Sequence, residues 1–179
     1  MENIQLVHDD HHGELRRFPL SLLVHDMAAP ENVGSLFRLA DALGVEKLYL
    51  TGTTPLPPNR KIRKTSRAAE KYVPHEYATD PLAVVGKLQA DGYRVVSLDL
   101  TTASLDLAVL PVSSGDRICL VLGSENAGVS QALLDASDFS VHIPMRGLNS
   151  SMNVAMACAI AAYEIIGMCA DETGMDSGK

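Results

Sequence analysis

The stretch LSLLVHDMAAPENVGSLFRLADALGVEKLYL, residues 20–50, decides the fold class. Leu20–His25 is a short apolar run that ends in polar residues, which predicts a strand. Apolar residues then recur at helical spacing, at Val33, Leu36, Phe37, Ala40 and Leu43. Lys47–Leu50 predicts a second strand, so the stretch as a whole predicts a strand–helix–strand unit.

The predicted helix has a signal at each end. Asn32 precedes the first apolar position and is expected to be the N-cap, since its side chain can accept from backbone N–H groups of the first turn. Gly44 follows the last apolar position and is expected to end the helix as the C′ residue.

The same alternation continues along the chain. Further extended segments are predicted at Tyr72–Tyr77, Arg94–Leu98, Ile118–Leu122 and Phe139–Ile143. Helices are predicted at Ser66–Lys71, Pro81–Ala90, Leu133–Ala136 and Ser151–Ile166. Strands that alternate with helices predict an α/β fold with a mainly parallel sheet flanked by helices.

Length and composition indicate one folded domain. The chain has 179 residues, of which 46% are hydrophobic and 21% charged, and this composition argues against a disordered chain. We expect a polar N-terminal extension over residues 1–19, a domain over 20–170 and a C-terminal tail over 171–179. The N-terminus lacks the apolar segment of a signal peptide, and the longest apolar run, Val154–Tyr163, is too short to span a membrane. We therefore expect no membrane partner.

The cysteines and histidines do not favour a metal site. Cys119, Cys158 and Cys169 form no CxxC pair and are odd in number, which fits a reducing cytoplasm better than a disulfide framework or a zinc site. The N-terminal segment with His8, His11, His12, Asp9 and Asp10 could bind a metal, but an exposed polar terminus is the favoured interpretation.

One short stretch of this acidic chain is strongly basic. The net charge is −7, yet six of the 15 lysine and arginine residues are Arg60, Lys61, Arg63, Lys64, Arg67 and Lys71. The stretch is either a solvated surface or a local phosphate-binding patch. Aromatic residues make up 4% of the chain, with no Trp, which argues against an RNA surface built from stacked aromatic side chains.

The last predicted helix is apolar on nearly every face. A helix at the edge of a small domain can bury only one face against its own sheet, so a second face needs another partner. A second copy of the chain is the simplest such partner.

Three segments rich in Gly, Asn, Ser and Pro lie at the ends of predicted strands: residues 30–38 (PENVGSLFR), 122–128 (LGSENAG) and 143–155 (IPMRGLNSSMNVA). Ligands of open α/β sheets bind at the carboxyl ends of strands, so these segments are candidate site loops. The chain contains no GxGxxG, GxxxxGK[ST] or GxSxG motif, which argues against a standard dinucleotide site, a P-loop and a nucleophile elbow.

Together the three segments resemble the sequence motifs of the SpoU (TrmH-like) RNA 2′-O-ribose methyltransferases of the SPOUT superfamily. Motif one, N-x-G-x-x-x-R, matches residues 32–38, and motif two, L-G-x-E-x-x-G, matches residues 122–128. Motif three, I-P-M followed by S-L-N-V-S-x-A, matches residues 143–155. Met152 stands where the family has Leu, which conserves volume, and Ala155 stands where it has a second Ser. The resemblance covers about residues 20–168.

The resemblance implies a parallel sheet with a C-terminal deep trefoil knot, a homodimer with sites completed across its interface, and S-adenosylmethionine as cofactor. By motif position it implies that Gly123, Ile143, Met145 and Met152 bind the cofactor. The loop with Leu100 and Thr101 is added because it follows a predicted strand.

The resemblance assigns activation of the ribose hydroxyl to Arg38. A guanidinium stays protonated in proteins and so cannot act as a free general base. We therefore expect Arg38 to bind the target phosphate and stabilise the developing alkoxide; a simple ion pair with Asp41 is the alternative. The resemblance further implies that Asn32 supports Arg38 and that Glu125 orients active-site groups.

Ser151 and Asn153 complete the expected catalytic set at the start of the last helix, where Ser151 could equally be its N-cap. Small family members without an appended RNA-binding domain often act on tRNA, so a tRNA substrate is favoured over rRNA. The expected contacts to the RNA backbone are Arg60, Lys61, Arg63, Lys64 and Arg67. Two alternatives stay open: a non-catalytic dimeric RNA-binding protein of the same fold, and a nucleotide-binding enzyme with a variant Rossmann site.

Overall fold

A computed structural model describes residue 4 and residues 16–169 of the chain. The strands are β1 Phe18–His25, β2 Val45–Thr51, β3 His75–Ala78, β4 Tyr93–Leu98, β5 Leu105–Asp106, β6 Arg117–Leu122 and β7 Phe139–His142. The α-helices are α1 Pro30–Leu43, α2 Arg60–Ser66, α3 Pro81–Ala90, α4 Gln131–Ala136 and α5 Val154–Cys169. The segment with His8, His11 and His12 and the tail 171–179 lie outside the described residues.

The described strands form one parallel sheet in the order β3-β2-β1-β6-β4-β7-β5. Every neighbouring pair in that order is parallel. The predicted α/β class with a mainly parallel sheet is therefore confirmed. From β1 the next strands along the chain, β2 and β3, lie to one side. The later strands lie to the other side, where β1 pairs with β6. The trefoil knot implied by the resemblance stays a prediction.

Helices cover both faces of the sheet. Side chains of α1 and α5, among them Phe37 and Ile165, pack on one face, in a cluster that also holds Leu22 and Val24 of β1. Leu88 of α3 and Leu133 of α4 pack on the other face. Strands buried on both faces explain why Ile118–Leu122 is apolar at every position. Within the described part of the chain, no helix is long and apolar enough to cross a membrane.

The basic stretch forms a helix, but not where the sequence predicted one. The helix predicted at Ser66–Lys71 is confirmed only as a short 3₁₀ turn, because α2 begins at Arg60, six residues earlier, and ends at Ser66. Asn59 caps this helix, its Oδ1 accepting from Lys61 N–H at 2.9 Å and Ile62 N–H at 3.4 Å. The helix ends where Arg67 and Ala68 adopt left-handed φ angles of 55° and 77°. A short 3₁₀ turn, Ala69–Lys71, follows.

The predicted caps of α1 and α5 need correction. Asn32 is not the N-cap of α1, because the helix begins at Pro30, whose fixed φ suits a first helical position. The role of Gly44 is confirmed, since it ends α1 with a left-handed φ of 66°. Ser151 does not cap the last helix. Asn153 does so, because its Oδ1 accepts from Ala155 N–H at 2.9 Å and Met156 N–H at 3.3 Å.

Candidate functional site

A cavity of about 470 Å³ opens at the carboxyl ends of β4, β6 and β7. Its walls come from the segments that follow these strands and from the start of α5. They comprise Leu98, Asp99, Leu100, Gly123, Ser124, Glu125, Asn126, Ala127, Gly128, His142, Ile143, Met145, Ser150, Ser151, Met152, Asn153, Val154 and Ala157. The volume lies in the range of small-molecule sites, about 300–1,000 Å³, and two of the three predicted site loops line it.

Most of the residues predicted to bind a cofactor line this cavity, namely Leu100, Gly123, Ile143, Met145 and Met152. Thr101 is not among the lining residues, and its N–H donates instead to Ser104 Oγ at 3.0 Å. Sequence reasoning missed Asp99 and His142. The rule that selected Leu100, proximity to a strand end, would have found both, since Asp99 follows β4 directly and His142 ends β7.

The loop after β6 is held in a tight turn by backbone contacts. Ser124 and Gly128 exchange two backbone hydrogen bonds of 3.0 Å each. A Cβ added at Gly123 would lie 1.9 Å from the Gly128 carbonyl oxygen, so only glycine allows this approach. Asp99 fixes the far side of the turn, because its Oδ2 accepts from Val129 N–H at 2.8 Å.

One hydrogen-bonded chain joins the three sequence motifs. The Glu125 carboxylate accepts from the N–H groups of Ala28 and Ala29, at 2.8 and 3.0 Å. Its Oε1 also accepts from Asn32 Nδ2 at 2.8 Å, and Asn32 Oδ1 accepts from Asn153 Nδ2 at 3.0 Å. The Asn32 side chain is available for these hydrogen bonds because it does not cap α1.

Glu125 stays ionised because of these contacts. Burial acts to raise its pKa, but hydrogen bonds from Ala28 N–H and the Asn32 amide outweigh burial and hold the pKa below its usual value. No side chain near the N-cap of α1, Ala29, caps the helix. The Glu125 carboxylate, which is distant in sequence, instead accepts from the backbone N–H groups at that end. A negative charge there is also stabilised by the helix dipole.

Arg38 lies apart from this chain of contacts. It is exposed on α1 and is not among the residues that line the cavity. The alternative of an ion pair with Asp41 is not observed among the described residues, and Asp41 Oδ2 accepts instead from the Tyr72 hydroxyl at 3.0 Å. Within one chain, the structure therefore brings together Asn32, Glu125 and Asn153 but not Arg38. Ser151 lies at the cavity wall.

The glycine of motif one joins the helix of Arg38 to the basic helix. A Cβ at Gly34 would lie 2.0 Å from Thr65 Oγ1 and 2.4 Å from the Ile62 carbonyl oxygen. The Thr65 hydroxyl donates to the Glu31 carbonyl at 3.0 Å, and Lys61 Nζ lies 3.1 Å from Glu31 Oε1. The two helices therefore pack closely. Every residue predicted to bind RNA is exposed: Arg60, Lys61, Arg63, Lys64 and Arg67.

The cavity offers hydrogen-bonding and apolar groups more than metal ligands. Among residues 16–169, no group of three or more His, Cys, Asp or Glu side chains could hold a metal ion. Apolar walls such as Leu98, Ile143 and Met152 lie beside polar loops. This combination suits an organic ligand that has both apolar and polar parts.

Comparison with known proteins places this arrangement in a family. The model of the SpoU rRNA methylase family matches residues 19–163. The 23S rRNA (guanosine-2′-O-)-methyltransferase RlmB of Coxiella burnetii is 31% identical over 156 residues, which cover 84% of this chain and 59% of RlmB. The chain spans 57–59% of the length of the curated relatives that it matches.

Two solved structures have the same fold. The SpoU methyltransferase AviRb from Streptomyces viridochromogenes, in complex with the cofactor AdoMet, is 29% identical with a TM-score of 0.74, over 86% of this chain and 59% of AviRb. A structure described as giving insight into the 2-OH methylation of C/U34 on tRNA is 28% identical with a TM-score of 0.69, over 82% of this chain and 95% of that chain.

Proposed function

The chain belongs to the SpoU rRNA methylase family, and we propose that it is an S-adenosylmethionine-dependent RNA methyltransferase acting on a ribose 2′-hydroxyl. The observation that carries the proposal is the hydrogen-bonded chain Glu125–Asn32–Asn153, which joins the three motifs beside a cavity of suitable size. A dimeric RNA-binding protein without catalysis is the second candidate. It is disfavoured because the polar residues of all three motifs, among them Asn32, Glu125 and Asn153, are present together beside the cavity.

The residues of the cavity fit S-adenosylmethionine. Gly123 lines the cavity in the turn that Gly128 closes, and Leu98, Ile143 and Met152 supply apolar contacts for a purine ring. AviRb, which has the same fold, was solved with AdoMet bound. When bound, the cofactor supplies a methyl group activated by a positively charged sulfur.

The chain's own residues are proposed to position the ribose and to stabilise the negative charge that develops on its 2′-oxygen. Arg38 would bind the target phosphate and stabilise negative charge on the 2′-oxygen as its proton leaves. Glu125, through Ala28, Ala29 and Asn32, fixes the start of the helix that carries Arg38. Since Arg38 does not line the cavity of its own chain, it would serve a site completed by a second copy.

The test of the proposed function is transfer of a labelled methyl group to RNA. Purified protein is incubated with labelled S-adenosylmethionine and one RNA pool from a strain that lacks the gene. The tRNA pool and the rRNA pool are tested in separate reactions. We expect label at a ribose 2′-O, located by its resistance to alkaline cleavage of the adjacent phosphodiester. Cofactor binding without transfer to either RNA would favour the non-catalytic candidate. Absence of cofactor binding would contradict both the proposed methyltransferase activity and the proposed cofactor.

A tRNA substrate is the finer proposal. The chain covers 95% of the solved protein described for 2-OH methylation of tRNA, whereas RlmB, named for 23S rRNA, is matched over 59% of its length. Comparison of the two RNA pools decides between these substrates. A cytoplasmic location likewise stays a prediction.

The RNA backbone is proposed to bind along α2. We expect Arg63→Glu to weaken RNA binding several-fold and to reduce the steepness of its salt dependence, because a phosphate contact and its released counterion are lost. The triple change of Arg60, Arg63 and Lys64 to Glu should weaken binding further. Fluorescence anisotropy at a series of salt concentrations measures both quantities.

Lys87→Glu on α3 is the matched control, with the same charge reversal at an exposed position of another helix. Its effect on RNA affinity should be small, and S-adenosylmethionine affinity should not change in any of these variants. Equal losses for Arg63→Glu and Lys87→Glu would show that only net charge matters and would remove the case for α2.

Dimerisation is proposed to use the free face of α5. Met156, Ile160 and Tyr163 are 65%, 46% and 71% exposed and lie on one side of the helix, while Ala162 and Ile165 on the other side are buried in the core. We expect Ile160→Asp with Tyr163→Asp to yield monomers in sedimentation equilibrium and to abolish methyl transfer. Leu82→Asp, at an apolar position of α3 that is 43% exposed, should stay dimeric. A dimer that survives the α5 change would place the interface elsewhere.

A further inference from the structure

Half of the polar side chains that line the cavity already accept hydrogen bonds from backbone N–H groups within the chain. Both carboxylate oxygens of Asp99 and of Glu125 accept backbone N–H groups. Ser124 Oγ accepts from Ala127 N–H, and both amide atoms of Asn153 are used in the contacts described above. These contacts hold the four side chains in place as part of the cavity wall.

The remaining polar side chains of the wall differ in how firmly they are held. Asn126, Ser150 and Ser151 are exposed and lie in loops. His142 is half-buried at the last position of β7, where it pairs in the sheet with Asp106 of β5. Among the lining residues, His142 therefore combines a rigid position with an available polar atom, because its Nε2 has no hydrogen-bond partner in the described part of the chain.

The contacts of Ser104 favour the His142 tautomer that carries its proton on Nδ1. The Ser104 oxygen lies 3.0 Å from His142 Nδ1, 3.0 Å from the Thr101 carbonyl oxygen and 3.0 Å from the Thr101 nitrogen. The hydroxyl has one hydrogen and the carbonyl can only accept. All three contacts are hydrogen bonds when the hydroxyl donates to Thr101 and His142 Nδ1–H donates to the hydroxyl. In the neutral ring, Nε2 then carries a lone pair and is an acceptor.

We propose that His142 is a cofactor-binding residue whose Nε2 accepts a hydrogen bond from an N–H or O–H group of S-adenosylmethionine, and that Ser104 is its positioning residue. This inference rests on the proposed function. A neutral imidazole that accepts a hydrogen bond suits a cofactor that carries positive charge. A protonated imidazole would repel that charge, and an N–H at Nε2 could not accept from a donor of the cofactor. The same contact would tie the Leu100–Ser104 loop, which follows β4, to the occupied cavity.

A pair of amide substitutions separates binding from loop anchoring. The amide of His142→Gln reaches the position of Nε2, whereas the shorter amide of His142→Asn reaches only that of Nδ1 and keeps the contact with Ser104. We expect His142→Gln to bind S-adenosylmethionine within about threefold of the unaltered chain, and His142→Asn to bind about tenfold more weakly, as for one lost hydrogen bond. Titration calorimetry measures both affinities. His75→Gln, the same change at the β3 edge of the sheet, is the control and should bind normally.

Nitrogen NMR of the ¹⁵N-histidine-labelled protein reports the contact without any turnover. We expect the Nε2 resonance of His142, assigned by its loss in His142→Gln, to shift on addition of S-adenosylmethionine, with Nδ1 remaining protonated. If both variants bind S-adenosylmethionine weakly, a shift of the Nε2 resonance in the unaltered chain would still support a hydrogen bond from the cofactor to His142 Nε2.

The opposite order of affinities, with His142→Asn near normal and His142→Gln weak, would overturn the inference in favour of loop anchoring through Ser104. Unchanged affinity in both variants, or an unmoved Nε2 resonance, would overturn it while leaving the proposed function intact. An unaltered chain that does not bind the cofactor would overturn both.

Discussion

Replacing Arg38 with alanine is expected to lower the rate constant of methyl transfer by about 10²–10³-fold, the usual loss when a group that stabilises transition-state charge is removed. The charge on the 2′-oxygen develops only as the proton leaves, so the loss should appear in kcat more than in KM. Single-turnover transfer to RNA measures the rate.

Stability and cofactor affinity should not change in this variant. Arg38 is exposed, has no hydrogen bond or ion pair with another residue of the described chain, and does not line the cavity. Arg38→Lys is the sharper comparison, because it keeps the charge but loses the planar pair of donors that fits a phosphate. A lysine variant with near-normal kcat and unchanged RNA affinity would contradict the geometric role proposed for the guanidinium.

Replacing Glu125 with alanine is expected to remove both activity and part of the stability. Three donors, the N–H groups of Ala28 and Ala29 and the Asn32 amide, lose their acceptor at once. Hydrogen bonds to charged groups contribute about 1.5–3 kcal/mol each when buried, but Glu125 is exposed, so we expect a total loss of about 2 kcal/mol. Urea unfolding at pH 7 measures this loss, and the methyl-transfer assay should detect little activity.

The loss should depend on pH in a defined direction. Because the folded-state pKa of Glu125 is lowered, its contribution is complete above the unfolded-state value of about 4.3 and disappears as the pH falls through the folded-state value. The difference between the unaltered chain and Glu125→Ala should thus be constant from pH 8 to about pH 5 and shrink below about pH 4.5.

Asp135→Ala is the matched control for Glu125→Ala. Asp135 is an exposed carboxylate on α4 that accepts from Gln131 one turn earlier at 2.7 Å, so its removal should cost less than about 0.5 kcal/mol. Equal unfolding free energies for Glu125→Ala and the unaltered chain at pH 7 would show that the carboxylate does not anchor α1.

Much of the fold could be predicted because its signals are local. The spacing of Val33, Leu36 and Phe37 predicted α1, the apolar run Ile118–Leu122 predicted β6, and Gly44 marked the end of α1. Helix α2 was misplaced because one cap, Asn59, and two left-handed residues after Ser66 set its ends, and the basic sequence has no strong periodicity.

The site was predicted in part, since its loops follow strands and its motifs lie within single segments. The network was not predictable from local patterns, because Asn32 and Glu125 are 93 residues apart and Asn32 and Asn153 are 121 apart. Local reasoning assigned Asn32 and Ser151 to helix caps, the commonest local use of such side chains. Asp99 and His142 lie near predicted strand ends, but their place in one cavity wall follows from the pairing of β4 with β7.

By itself, the sequence determined the alternation of strands and helices, the parallel class of the sheet and the three loops in which the motifs lie. These follow from periodicity and turn chemistry, which act over a few residues. Only the tertiary structure decided that Gly34 brings the basic helix against the helix of Arg38, that Glu125 holds the start of that helix, and that Arg38 stands outside the cavity of its own chain. Such contacts depend on where distant strands end in space, and chain spacing does not encode that position.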